Sequence, residues 1–193
     1  PDLFSRLMLA SMPQRRSKQS PWPKIGSPTE ARILEKLRRF EDSPAHLLLT
    51  DSSKWIMYFH RTPGYWIRML DFLPFFESPA GDRSVHHIRE LYATSEAARA
   101  EVAGLGSSSL YFWWFFAIGN CRNLTKGDLL GFPAPHLDAD EATEIARLFH
   151  ALMKSYKDNS SVKSRAKARY QEFDWVAAKP SVDAMDEFFA KVF

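Results

Sequence analysis

Ser107-Ser108-Ser109-Leu110-Tyr111-Phe112-Trp113-Trp114-Phe115-Phe116-Ala117-Ile118 is the stretch on which the fold turns. Six aromatic residues, Tyr111 to Phe116, stand in succession inside an apolar run from Leu110 to Ile118. The serines before it offer an N-cap, and Gly119-Asn120 after it are residues that tolerate a left-handed C-cap. The run therefore predicts a helix that is apolar all round, and such a helix must be buried on most sides. It is far shorter than the roughly 20 residues needed to cross a bilayer. A row of aromatics can also stack on unpaired bases, but six on one helix are read as core that holds neighbouring loops in place.

Downstream, residues 120–135 read as a loop with a short helical turn near Lys126 to Leu130. Asp138 and Glu141 then form a capping box. Ile145, Leu148, Phe149, Leu152, Met153 and Tyr156 recur with the spacing of one helix face. Within 154–169 the cations Lys154, Lys157, Lys163, Arg165, Lys167 and Arg169 face Asp158 alone. They read either as a phosphate-attracting cluster or as a solvated helix end and loop. Tyr170 to Val176 predicts a short strand or extended segment, and Ser181 the cap of a last helix with Val182, Met185, Phe188, Phe189 and Val192 inward.

Upstream, Ser27-Pro28-Thr29-Glu30 opens a helix by a capping box with proline in the first turn, and Ile33, Leu34, Leu37 and Phe40 give its apolar face. Lys54 to Arg61 and Tyr65 to Leu70 flank the turn Thr62-Pro63-Gly64 and predict a β-hairpin. A third strand is expected around Val85 to Tyr92, then a helix over 95–105. Strands and helices without strict alternation favour α+β, with a small mixed sheet bearing a hairpin against several helices. Residues 1–26, rich in Ser, Pro, Gln and Arg, read as a linker or arm. Residues 27–193 form one domain.

Composition narrows the function classes. Hydrophobic residues are 45% and charged ones 25% of 193, as expected of a folded chain. Cys121 is alone, which excludes a disulfide framework and a Cys-rich zinc site and fits a reducing, cytoplasmic setting. His46, His60, His86, His87, His136 and His150 have no metal-ligand spacing. No phosphate-binding glycine loop, hydrolase elbow or nuclease-type E-x-K pattern is present. The net charge of +3 is uneven, with nine Lys/Arg against three acids in residues 1–40. No chemistry, metal or cofactor is expected of this chain alone, which reads as a piece of something longer.

The order of motifs resembles the C-terminal target-recognition region of TaqI-like adenine-N6 DNA methyltransferases, including fused restriction–modification enzymes. The similarity runs from Lys24-Ile25-Gly26-Ser27-Pro28 with Ile33-Leu34, through Tyr65-Trp66-Ile67-Arg68 with Asp71-Phe72 and Pro74-Phe75-Phe76. It continues in Ser107 to Trp114, and in Asn120-Cys121-Arg122-Asn123-Leu124-Thr125-Lys126 with Asp128-Leu129 and Phe132-Pro133. It closes with Tyr170-Gln171-Glu172-Phe173, Lys179-Pro180 and Asp183, Met185 and Asp186. Gly106 stands where that family has Asn before the serines, which is expected to loosen the helix cap. The resemblance implies that residues 27–193 are a target-recognition domain of a type II restriction–modification methyltransferase, with double-stranded DNA as partner. The S-adenosylmethionine-binding catalytic domain would precede this chain in its parent, and the chain itself would be a non-enzymatic, non-membrane, monomeric unit.

On that resemblance, base readout and phosphate contacts fall to His60, Arg61, Tyr65, Trp66 and Arg68 of the hairpin. Arginine is suited to this because it bonds a guanine edge with two parallel donors. Asn120, Arg122 and Lys126 form a second group at the exit of the aromatic helix, with Asn123 read as structural. Lys163, Arg165, Lys167 and Arg169 form a phosphate rail. The other reading is a protein-interaction or scaffold module that supports the methyltransferase core without touching DNA.

Overall fold

The apolar run does become a helix without a polar face, and the rest of the chain is arranged to cover it. The computed structural model describes residues 22–81 and 87–193. Helix α1 (Pro28–Leu37) is followed by strands β1 (Leu48–Leu49), β2 (Ile56–His60), β3 (Met69–Leu70), β4 (Phe76–Glu77) and β5 (Ile88–Ala93). Helices α2 (Glu96–Gly106), α3 (Ser109–Ile118), α4 (Lys126–Leu130) and α5 (Ala139–Asp158) come next. The hairpin β6 (Ser160–Arg165) and β7 (Ala168–Phe173) leads into the last helix, α6 (Trp175–Val192).

This is an α+β fold, as expected, but its strands form two sheets rather than one mixed sheet. Their orders are β1-β5-β2-β3 and β4-β7-β6, and every pairing is antiparallel. The aromatic hairpin is also smaller than predicted. Only Phe59↔Met69 and Tyr58↔Leu70 pair across it, so residues 61–68 are a loop. Trp66 leaves the sheet to stack on Phe112 of α3, ring centres 5.4 Å apart. Tertiary aromatic stacking has overridden local strand preference. The expected third strand is β5; its predicted first residues, Val85 and His86, lie outside the described residues, as does the arm up to residue 21.

Between α2 and α3 the chain turns inside the core, and each serine there has a different partner. Ser107 Oγ accepts the Met69 N–H (3.0 Å), which fixes β3 to the turn. Ser108 Oγ caps α3 by accepting the Tyr111 N–H (3.1 Å) and donates to the Leu105 carbonyl (2.7 Å). The Ser109 N–H donates to Asp186 of α6 (2.8 Å). Gly106 does not loosen this cap. A Cβ there would lie 2.4 Å from the Met69 sulfur, so a side chain at this position requires the Met69 thioether to shift.

Tyr111, Trp114, Phe115 and Ala117 of α3 are buried, and its other aromatics are half-buried. Lys24 donates its N–H to the Ala117 carbonyl (2.8 Å) and its ammonium to the Gly119 carbonyl (2.7 Å). These groups satisfy acceptors that a helix end leaves open, and they tie residues read as the end of the arm onto the domain. Glu30 accepts from Gly26 N–H, Ser27 Oγ and Trp113 Nε1. Those bonds, the Trp113 one foremost, hold its carboxyl below the usual carboxylate range. The predicted stripe of α5 is buried in full, from Ile145 to Tyr156.

Helix α6 begins about two turns earlier than a Ser181 cap implies. Asp174 caps it, accepting from Val176 and Ala177 N–H (2.9 and 3.2 Å), and Pro180 sits inside the helix. Proline signals a break because it removes one helical bond and crowds the preceding turn; here Ala178, Val182, Met185 and Phe189 bury enough to carry the helix across it.

Gly119 ends α3 for a reason other than left-handed backbone. Its φ is −74°, and the positive φ falls on Cys121 (58°). A Cβ at 119 would lie 2.6 Å from the Phe115 carbonyl oxygen. Gly119→Ala is therefore expected to cost about 1–3 kcal/mol, the range of overpacking, in urea unfolding. Gly64→Ala, where nothing lies within 4 Å, should change stability by less than about 0.5 kcal/mol.

Burial on α2 pushes the Glu101 carboxyl up to about 7, against the smaller pull of His136 and with a push from Glu141. Between its ordinary value and that one, the native state keeps a proton that the unfolded chain has lost. Stability should then fall as pH rises through this window, by up to about 3 kcal/mol. Denaturant midpoints from pH 5 to pH 8 should show that decline, and Glu101→Gln should flatten it.

Candidate nucleic-acid interface

The loop 61–68 is anchored at both ends. At its start the Arg61 N–H donates to the His87 carbonyl (2.7 Å), and the Arg61 carbonyl accepts from Leu124 N–H (2.6 Å). At its end Ile67, Met69 and Leu70 are buried. Between these anchors the loop presents Tyr65 wholly to solvent and leaves Trp66 half-buried on its Phe112 platform.

Arg68 is where the surrounding depressions meet. One is lined by Tyr65, Trp66, Tyr156 and Trp175, with Lys179 and Asp183 at its edge. A second runs along the β6–β7 hairpin, past His60, Lys163, Tyr170 and Trp175. The third lies inside the loop, between His60, Pro63 and Trp66. Arg68 lines all three. Its guanidinium lies over the Phe173 ring at 5.4 Å and forms no ion pair or hydrogen bond among the described residues. Burial lowers its pKa, with Tyr156 acting the other way, yet arginine remains charged at any physiological pH. His60 titrates below its ordinary value, first through the protein packed around it and then through Arg68 and His87.

The structure thus places His60, Tyr65, Trp66 and Lys163 on three depressions that meet at Arg68. Arg61 lines none of these three depressions, and its backbone carbonyl ties the loop to the one after α3 through Leu124 N–H. In that loop Asn120 Oδ1 accepts from both Arg122 and Asn123 N–H (2.8 Å each), so its carboxamide oxygen shapes the turn. Arg122 is exposed, with no ion pair among the described residues. Lys126 reaches back to the Leu49 carbonyl of β1 (3.4 Å). The expected reading of Asn123 as structural fits its half-buried position beside this turn.

The rail Lys163, Arg165, Lys167 and Arg169 is not one row. The register Lys163↔Tyr170 and Arg165↔Ala168 puts Lys163 and Arg165 on one face of the hairpin and Arg169 on the other. Arg169 is held there by Glu77 (2.9 Å) and lies over the Phe75 ring at 5.4 Å. Lys167 sits in the turn at φ 66°, beside Ala166 at 49°. Lys163 has Glu172 at 3.9 Å, and Arg165 is exposed without an ion pair among the described residues.

Three residues of the groove were missed in the sequence: Tyr156, counted only as core, and Trp175 and Asp174 at the start of α6. Their signal was present in Asp174-Trp175, a capping residue before a large aromatic, but Pro180 drew the helix start away from it. No family model, curated protein or solved structure matches this chain.

The proximity of His60 to the uncompensated Arg68 charge is open to measurement. In a proton NMR titration His60 should titrate below the range of a free histidine, and Arg68→Met should move it upward.

Proposed function

We propose that this domain holds and reads double-stranded DNA as the target-recognition module of an adenine-N6 methyltransferase of a type II restriction–modification system. In this reading the catalytic domain and its S-adenosylmethionine belong to the parent protein, and the present chain supplies register on the duplex. The observation that carries the reading is the convergence on neighbouring loops of aromatic and cationic side chains with no acidic partner among the described residues. Tyr65, Trp66 and His60 lie on the depressions that meet at Arg68, and Arg61 and Arg122 flank the backbone contact between the two loops. The sequence motifs that resemble the family's recognition region fall on these same loops.

The chemistry follows from the placement. Arg61 and Arg122 stand in solvent, suited to phosphates or to a guanine edge, where each good bidentate pair is worth roughly 1–3 kcal/mol of discrimination. Lys163 and Arg165, on one hairpin face, can neutralise further phosphates and release their counterions. Loops on a fixed scaffold are where such contacts belong, and the Ser107 and Phe112 contacts supply the fixing. Catalysis on a base requires the base to leave the stack, so a separate unit must keep the duplex in place.

The scaffold reading has its own support in the exposed Trp175, Val176 and Leu73, at 65%, 61% and 51% of full exposure. These are large apolar surfaces of the kind that a neighbouring domain covers.

Fluorescence anisotropy of a mixed-sequence duplex with the full chain separates the two. DNA reading predicts binding that weakens by orders of magnitude between 50 and 200 mM salt, with the slope reduced by about 0.9 for each phosphate contact removed. Arg61→Ala with Arg122→Ala should lose most of the affinity. Binding that ignores both salt and this double substitution would reject DNA contact by these loops and leave the scaffold reading.

A further inference from the structure

The depression between the loop 61–68 and α6 differs from an open nucleic-acid surface. It encloses about 580 Å³, within the range of roughly 300–1,000 Å³ typical of small-molecule sites. Its lining includes Tyr65, Trp66, Arg68, Tyr156, Trp175 and Val182. Tyr156 is buried, Trp66 and Arg68 are half-buried, and Trp175 is 65% exposed, so aromatic surface and one charge line the same depression.

Charge bookkeeping singles out Arg68. At the rim Lys179 is paired with Asp183 (2.5 Å) and contributes little net charge. Arg68 is without hydrogen bond or ion pair among the described residues, and so is the hydroxyl of Tyr156, whose ring is buried. A half-buried guanidinium without a counter-charge is costly, and a phenol beside it adds a second donor. Two parallel guanidinium donors match an oxyanion bidentately. Flat aromatic walls match a flat unsaturated ring.

We propose that this cavity binds a single nucleotide unit, with its phosphate on Arg68 and Tyr156 and its base against Trp66 and Trp175. The unit is either a free mononucleotide or one nucleotide of a strand turned out of its stack. The inference shares residues with the duplex surface but does not require it. A phosphate alone would leave the aromatic walls wet, and a nucleoside alone would leave Arg68 uncompensated, so affinity depends on both parts together.

Titration of the full chain with deoxyadenosine monophosphate, followed by quenching of tryptophan fluorescence and by calorimetry, tests this. Saturable binding is expected, at least tenfold tighter than for deoxyadenosine or inorganic phosphate. Arg68→Met should abolish it. Tyr156→Phe, which removes one oxygen and leaves the buried ring, should weaken it several-fold, so the test survives if the arginine variant fails to fold. A single-stranded trinucleotide that displaces the mononucleotide assigns the strand-borne form, and one that does not assigns the free nucleotide. Mononucleotide binding no tighter than inorganic phosphate, or unchanged in Tyr156→Phe, overturns the inference. Salt-dependent duplex binding in that same preparation would leave the DNA reading standing without it.

Discussion

Ser107 and Ser108 join two helices inside the core, and the hydrogen bonds made by their two buried hydroxyls organise the molecule. Both residues are buried, and an unpaired polar atom at such a place costs roughly 1–3 kcal/mol. The solution spends the two hydroxyls on different elements. One grips the backbone of β3 at Met69; the other caps the aromatic helix. Gly106 lets Met69 come close enough for this to happen. The loop before Met69 therefore leaves the core from a fixed point, and Trp66 is then carried onto Phe112. Arg68 lies between those two contacts along the chain, so its position follows from the Ser107 bond on one side and the Trp66 stacking on the other.

The described charges divide into those that tie elements together and those that do not. Asp71 has Lys157 at 3.2 Å and Arg99 at 3.9 Å, linking the end of β3 to α5 and α2. Arg169 with Glu77 joins β7 to β4. Lys24 and Lys126 serve backbone carbonyls. Arg61, Arg68, Arg122 and Arg165 form no ion pair among the described residues, and of these Arg68 alone is half-buried.

The periodic elements were legible in the sequence because burial writes itself into spacing. The α5 stripe and its Asp138 and Glu141 box needed no tertiary information, and the all-apolar α3 announced its own burial. Irregular elements were not legible in this way. The hairpin β6–β7 is largely polar and exposed, so it lacks alternation, and its turn contains neither glycine nor asparagine. The start of α6 was hidden by Pro180. The loop 61–68 looked like a strand because Tyr65, Trp66 and Ile67 favour strands, and only the stacking of Trp66 on a helix distant in sequence removes it from the sheet. At the candidate site the same division holds. Arg68 and Trp66 could be named from the sequence, but Tyr156 and Trp175 reach the groove through tertiary packing alone.

The turn of the β6–β7 hairpin holds Ala166 and Lys167 in the left-handed region, where side chains are disfavoured by roughly 1–2 kcal/mol per residue. Asparagine and glycine are the residues that such a two-residue turn prefers. Neither occupant is chosen for backbone comfort, and both project into water, away from the buried interior. A tip built this way is replaceable: a segment of another length or charge can be grafted between Arg165 and Ala168 without disturbing a buried contact. The tip, unlike the strand that carries Phe173 and pairs with β4, is thus free to change in length and charge while the interior stays the same.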